Sequence, residues 1–85
     1  MNRFTVTWWD DALQELAQLW IDVDVRDAVN AATLQIDAEL AYDPHLKGEE
    51  VSEGLRRIDI APLRAYFIVS EDDSRVEIVG VRRAP

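Results

Sequence analysis

The chain has 85 residues, 17 of them acidic and nine basic, for a formal net charge of −8, and it has no cysteine. That length holds one core rather than two, and the missing cysteine excludes disulfides, thiolate nucleophiles and cysteine-ligated metal. The 48% apolar and 31% charged content suits a water-soluble globular domain, and no run approaches the roughly 18 apolar residues of a membrane span.

The opening Met1-Asn2-Arg3-Phe4-Thr5 leads into a strand rather than a signal peptide. A cytoplasmic protein without membrane contact is therefore expected. Phe4-Thr5-Val6-Thr7-Trp8 alternates apolar and polar residues, the pattern of a half-buried strand. Asp10 or Asp11 then suits a helix N-terminus, where a carboxylate meets the positive end of the helix dipole. From Asp11 to Ile21, the residues Ala12, Leu13, Leu16, Ala17 and Trp20 recur at helical spacing and predict one apolar stripe. Asp22-Val23-Asp24 interrupts it, with Asp24 expected to cap a second helix running to about Tyr42. That helix carries Ala28, Val29, Ala32, Ile36 and Leu40 on its stripe, and Asp43-Pro44 ends it because the residue before proline disfavours helix. So short a link between helices predicts an antiparallel hairpin.

Residues 45–53 read as a polar loop. Three strands follow, Leu55–Ile60, Arg64–Ser70 and Arg75–Arg82, separated by Ala61-Pro62-Leu63 and Glu71-Asp72-Asp73-Ser74. Short links predict an antiparallel meander, and the first strand must join it because its backbone would otherwise go unpaired. The expected fold is α+β: a two-layer β-α-α-β-β-β sandwich, one domain over residues 1–85, with the helical hairpin on a four-stranded antiparallel sheet. Alternation along the middle strand puts Ala65, Phe67 and Val69 on one face and Arg64, Tyr66 and Ile68 on the other. One face meets the helices. The other is the expected functional surface.

Charge divides unevenly. Residues 1–43 hold nine acids and two bases, whereas residues 44–85 hold eight acids and seven bases. An acidic helical layer thus covers a sheet that carries most of the arginine, and the overall charge repels nucleic acid at long range.

The order of elements, together with the Trp8–Trp20 segment, Asp43-Pro44, Gly54-Leu55-Arg56, Leu63-Arg64-Ala65-Tyr66-Phe67-Ile68-Val69 and Val79-Gly80-Val81-Arg82-Arg83, resembles the RelE/ParE family of toxins from bacterial type II toxin–antitoxin and plasmid-stabilisation systems. The resemblance implies a toxin-like protein held by an antitoxin partner, with no cofactor and with a homodimer compatible. One branch of the family cuts ribosome-bound mRNA, with arginines on the open sheet face gripping phosphate through their planar forks. Another acts on DNA gyrase. In the first case, Arg64, Arg82 and Arg57 match the basic positions and are the candidate catalytic set. Asp59 stands where a second basic residue is expected, a charge reversal. The family ribonucleases often continue into a C-terminal helix carrying an acid–base residue, whereas this sequence stops at Ala84-Pro85 and Tyr66, its only meander tyrosine, does not match that position.

Each candidate also has a plainer reading. Arg57, Arg64 and Arg82 also fit solvated edge charges that discourage strand-to-strand aggregation, as do Arg56 and Arg83. That alternative leads to a non-catalytic interaction domain on the same scaffold, a topoisomerase inhibitor or an inactive toxin homologue. Trp8 and Trp20 fall on core stripes, whereas Trp9 has the opposite parity and is the candidate partner contact. His45 is the lone histidine, which makes a metal site unexpected. Glu71-Asp72-Asp73 lacks calcium-loop spacing and reads as a solvated turn.

Overall fold

The computed structural model describes residues 3–85; Met1 and Asn2, where the expectation about the chain's opening begins, lie outside the described residues. The chain runs β1 (Thr5–Trp8), α1 (Asp10–Trp20), α2 (Arg26–Leu40), a 3-10 turn (Pro44–Leu46), β2 (Glu49–Ser52), β3 (Leu55–Ile60), β4 (Leu63–Ser70) and β5 (Arg75–Arg83). The two helices pack on a five-stranded, mostly antiparallel sheet of order β1-β5-β4-β3-β2.

The α+β sandwich is as expected, but three features of the sheet and its turns are not. First, β1 pairs with β5 in parallel, Val6 opposite Val76 and Trp8 opposite Ile78. The helical hairpin carries the chain across the layer before β5 returns to β1, a crossover that permits a parallel pair. Second, the segment expected as loop contains β2, an edge strand antiparallel to β3. Third, Asp24 does not cap α2. Its own N–H donates to Asp22 Oδ1 at 3.0 Å, an Asx turn that reverses the chain, and Val25 takes the cap position without a side-chain bond. Neither Asp10 nor Asp11 caps α1, because Trp9 holds that place, but both lie in the first turn, where the dipole favours them. α2 stops at Leu40, two residues early, and Asp43 adopts φ 48° before Pro44 opens the 3-10 turn.

β2 forms without apolar alternation because its partners supply charge. Glu49 lies opposite Arg57 and binds its guanidinium, and an opposite-charge pair across antiparallel strands contributes roughly 0.2–1 kcal/mol. Glu50 lies opposite Arg56, whose guanidinium instead donates to the carbonyl of Lys47 at 3.1 and 2.9 Å, closing the strand's entry. Gly48 sits so close to β3 that a Cβ there would lie 1.9 Å from the Arg57 carbonyl oxygen.

The core joins Val29, Ala32, Ile36 and Leu40 of α2 to Leu63, Ala65 and Phe67 of β4 and Val76, Ile78 and Val81 of β5, with Ala12 and Phe4. The stripe expected for α2 is buried except for Ala28, which is exposed. α1 is rotated from its expected orientation. Ala12 is buried and Leu16 and Leu19 pack against the core, whereas Leu13, Ala17 and Trp20 face outward. Trp20, expected in the core, is 39% exposed. Beyond the end of β1, α1 takes over the edge of β5, and the Val81 N–H donates to Glu15 Oε1 at 3.1 Å. A carboxylate there satisfies a backbone donor that no strand reaches.

Two glycines separate strain from collision. Gly54, at φ 81° in the β2–β3 turn, has nothing within 4 Å of a built Cβ, whereas Gly48 combines φ 63° with the backbone clash. Gly54→Ala is expected to lower unfolding free energy by about 1 kcal/mol, the cost of left-handed backbone. Gly48→Ala is expected to cost more and to unpair β2. Urea denaturation, with amide exchange across Glu49–Ser52, distinguishes the two; equal losses would contradict the close approach.

Candidate site on the open face of the sheet

Burying Leu63, Ala65 and Phe67 sends Arg64, Tyr66 and Ile68 to the opposite face, because side chains alternate along a strand. Register then sets their neighbours. Asp59 lies across from Arg64 and Arg57 across from Tyr66 on β3, while Arg82 lies across from Arg64 and Gly80 across from Tyr66 on β5. All three candidate arginines therefore share one face, the arrangement the resemblance implies, and Arg82 reaches it because the β5 register shifts by one residue at Val79, between Ile78 and Gly80. β2 adds Glu49 opposite Arg57.

The arginines differ in what they hold. Arg64 donates from Nε to Asp59 Oδ1 at 2.7 Å and from Nη2 to Oδ2 at 2.9 Å, a two-pronged bond whose geometry also suits a phosphate. That bond holds the Asp59 carboxyl below its ordinary range, against a smaller opposing effect of burial and with further help from the charges of Arg64 and Arg57. The same bond raises Arg64 above the usual guanidinium value. Arg57 donates from Nε to Glu49 Oε1 at 2.7 Å, with Nη2 directed to the same oxygen. Arg82 is exposed, its Cζ 5.7 Å from the centre of the Tyr66 ring, within cation–π range. Among the described residues, no carboxylate reaches within 4.0 Å of it.

Tyr66, Gly80 and Arg82 floor a cleft of about 740 Å³, with Leu55 and Val79 beside them and a wall from α1 made of Asp11, Gln14, Glu15 and Gln18. The wall is acidic and the floor is half apolar. Gly80 admits it: a Cβ there would meet Glu15 Oε1 at 3.3 Å. A fork of two free arginines, which phosphate gripping needs, is not displayed here. One guanidinium, one aromatic ring and two carboxylates are.

Trp9, the candidate partner contact, is 45% exposed, and its indole N–H donates to Glu77 Oε2 at 2.7 Å. It stands at the far end of β1, apart from the arginines. Trp8 is half-buried against the core and donates to Asp37 Oδ1 at 2.9 Å, the packing role expected of it. His45 Nδ1 lies 3.7 Å from Glu71 Oε1 on an exposed surface. Among the described residues there is no cluster of three metal-ligating side chains, and no helix is long and apolar enough to cross a membrane.

The sequence reading missed Glu49 and Glu15. Glu49 had a signal: Glu49-Glu50 and Arg56-Arg57 are placed evenly about the Glu53-Gly54 turn, the arrangement of a charged hairpin. Glu15 had none, because its role depends on where β1 ends.

No family model matches the sequence, and no curated protein sequence matches it. Solved structures do. The toxin–antitoxin complex RelBE2 from Mycobacterium tuberculosis superposes with a TM-score of 0.77 at 17% identity, over 99% of this chain and 94% of that one. The chromosomal ParDE system of P. aeruginosa gives 0.72 at 14% identity, over 98% of each chain. The isolated E. coli RelE toxin gives 0.66 at 16% identity, over 96% of this chain and 85% of that one. The chain has the RelE/ParE toxin fold.

The Asp59–Arg64 clamp makes a pH prediction. A lowered folded-state value means the ion pair contributes fully above the ordinary carboxyl value of 3.8, and the contribution is lost as pH falls through the lowered one. NMR titration of the Asp59 side-chain carboxyl is expected to show a midpoint below 3.8 that moves back up in Arg64→Ala. A wild-type midpoint at or above the ordinary value would remove the clamp.

Proposed function

We propose that the chain is the toxin component of a type II toxin–antitoxin module, neutralised in the cytoplasm by an antitoxin protein, and that it acts by binding a protein target rather than by cutting mRNA. The fold carries the first half of the reading. The second rests on one observation: Arg64 spends both prongs of its fork on Asp59.

A phosphodiester approaching Arg64 must displace a carboxylate held at 2.7 Å, and Glu49 sets the same condition at Arg57. The acids Asp11 and Glu15 on the cleft wall add repulsion at short range, where salt screening with a length of about 8 Å leaves it largely intact. The net charge of −8 adds a long-range barrier. A protein target that docks in the cleft need displace neither carboxylate. Tyr66, Leu55 and the unpaired Arg82 offer it an aromatic, an apolar and a cationic contact in one cleft. Topoisomerases, such as the DNA gyrase reached by one branch of these toxins, are the target class to examine first.

The endoribonuclease reading keeps one observation in its favour. Arg64 and Arg82 face one another across β4 and β5, so removing Asp59 would leave two guanidinium groups side by side. In that version they are the phosphate clamps, with Arg57 supporting them.

Expression of the chain alone is expected to arrest bacterial growth, and co-expression with the product of the adjacent gene to relieve it, with no cleavage of ribosome-bound mRNA in a purified translation reaction. Cleavage that Arg64→Ala abolishes would replace the protein-target reading with the ribonuclease. Normal growth with no co-purifying partner would refute the toxin assignment itself.

A further inference from the structure

The outer side of the helical hairpin, facing away from the sheet, carries a second surface. Leu13, Leu16, Ala17 and Trp20 line a shallow groove of about 260 Å³ along α1. The Trp20 indole donates to Asn30 Oδ1 of α2 at 2.6 Å, and Leu34, one helical turn beyond Asn30, is 70% exposed. Side chains four apart share a helix face, so Leu34 stands on the same face of α2 as Asn30, next to the groove's Trp20 end though outside its lining. Isolated exposed leucines are ordinary, but a run of apolar side chains lining one groove marks an interaction surface.

Charge limits what can occupy it. Asp10 lies one turn before Leu13 on α1, and Asp27 lies two turns before Leu34 on α2, so each flanks the groove on its own helix. The layer that holds them, residues 1–43, has nine acids against Arg3 and Arg26. Arg26 marks one end of the groove. Its Cζ lies 4.4 Å over the Trp20 ring, and its Nε donates to the Trp20 carbonyl at 3.0 Å. The groove therefore already seats a guanidinium from its own chain. A second copy of this protein brings another −8, and an anionic lipid surface is likewise repelled.

We infer that this groove docks a cationic amphipathic helix of a partner protein, whose apolar stripe covers Leu13, Ala17, Trp20 and Leu34 while its lysines or arginines reach Asp10 and Asp27. The inference deepens the proposed toxin reading by specifying the partner's chemistry: the segment that meets an acidic toxin is basic. Helix-in-groove recognition supplies apolar anchors every three to four residues, and the carboxylates flanking them set sign and salt dependence.

The test uses the full chain and two synthetic helical peptides of equal apolar content, one of leucine and lysine, the other of leucine and glutamate. Titration calorimetry and amide shift mapping are expected to show binding of the lysine peptide alone, with shifts confined to α1 and the first turns of α2. Leu13→Ser with Leu34→Ser, both at exposed positions, should weaken it about tenfold. Asp10→Asn with Asp27→Asn should flatten its salt dependence. Equal binding of both peptides overturns the charge requirement. Shifts elsewhere, no binding, or self-association of the chain through these residues overturns the docking assignment. Growth assays keep the two ideas apart. If the peptides fail while an adjacent-gene product restores growth, only the groove falls; if the lysine peptide binds a chain that never arrests growth, only the toxin reading falls.

Discussion

Alternation along β4 is the constraint from which the rest of the surface follows. Leu63, Ala65 and Phe67 have 0% exposure beneath α2, and losing a buried phenylalanine costs roughly 3–5 kcal/mol, a large share of the stability of so small a domain. A one-residue slip would turn those side chains out. With the register locked, Arg64 and Tyr66 have only the second face available, and antiparallel pairing delivers Asp59, Arg57, Gly80 and Arg82 to their sides. Packing on one face thus composes the chemistry of the other.

What it composes is a face that neutralises itself. Two of three arginines take carboxylates from the adjoining strand, so positive charge is present in the sequence but little of it is offered outward. Exposed ion pairs add little to stability, and their importance here is in what they exclude. The forks of Arg57 and Arg64 are already taken, whereas Tyr66 and Leu55 line the cleft beside them. The hairpin on the other layer is acidic apart from Arg26, so the molecule presents a partner with two unlike surfaces: an arginine-bearing sheet face with an internal counter-charge, and an apolar helical groove with a mostly negative border.

How far the sequence discloses this depends on which force positions each residue. Alternation in β4 and the stripe of α2 are driven by apolar burial, and Phe67, Val29, Ile36 and Leu40 are legible. Arg57 shares the face of Arg64 through the pairing of β3 with β4, but Arg82 is not legible by alternation: counted from Val76 and Ile78 it falls on the buried face, and the extra residue at Val79 returns it to the open one. β2 is not legible by periodicity because charge pairs and the backbone approach at Gly48 hold it, and neither leaves an apolar pattern. α1 misleads for the opposite reason. Ala12, Leu13, Leu16, Ala17, Leu19 and Trp20 spread over an arc of roughly 160° at 3.6 residues per turn, wide enough that two stripes fit. The edge of β5 chooses between them, drawing Glu15 inward and turning Leu13 and Trp20 away. The parallel seating of β1 belongs to the same class, since strand alternation carries no direction.

The bond from Val81 to Glu15 makes one amide in the sheet dependent on a helix. At the paired positions of β5, solvent protection is shared with a neighbouring strand and vanishes only when the ladder opens. At Val81 it lapses as soon as α1 lifts from the edge, even with every strand still in place. Deuterium uptake at that single position therefore clocks the breathing of the helical layer separately from unfolding of the whole, and any partner that pins α1 would slow it.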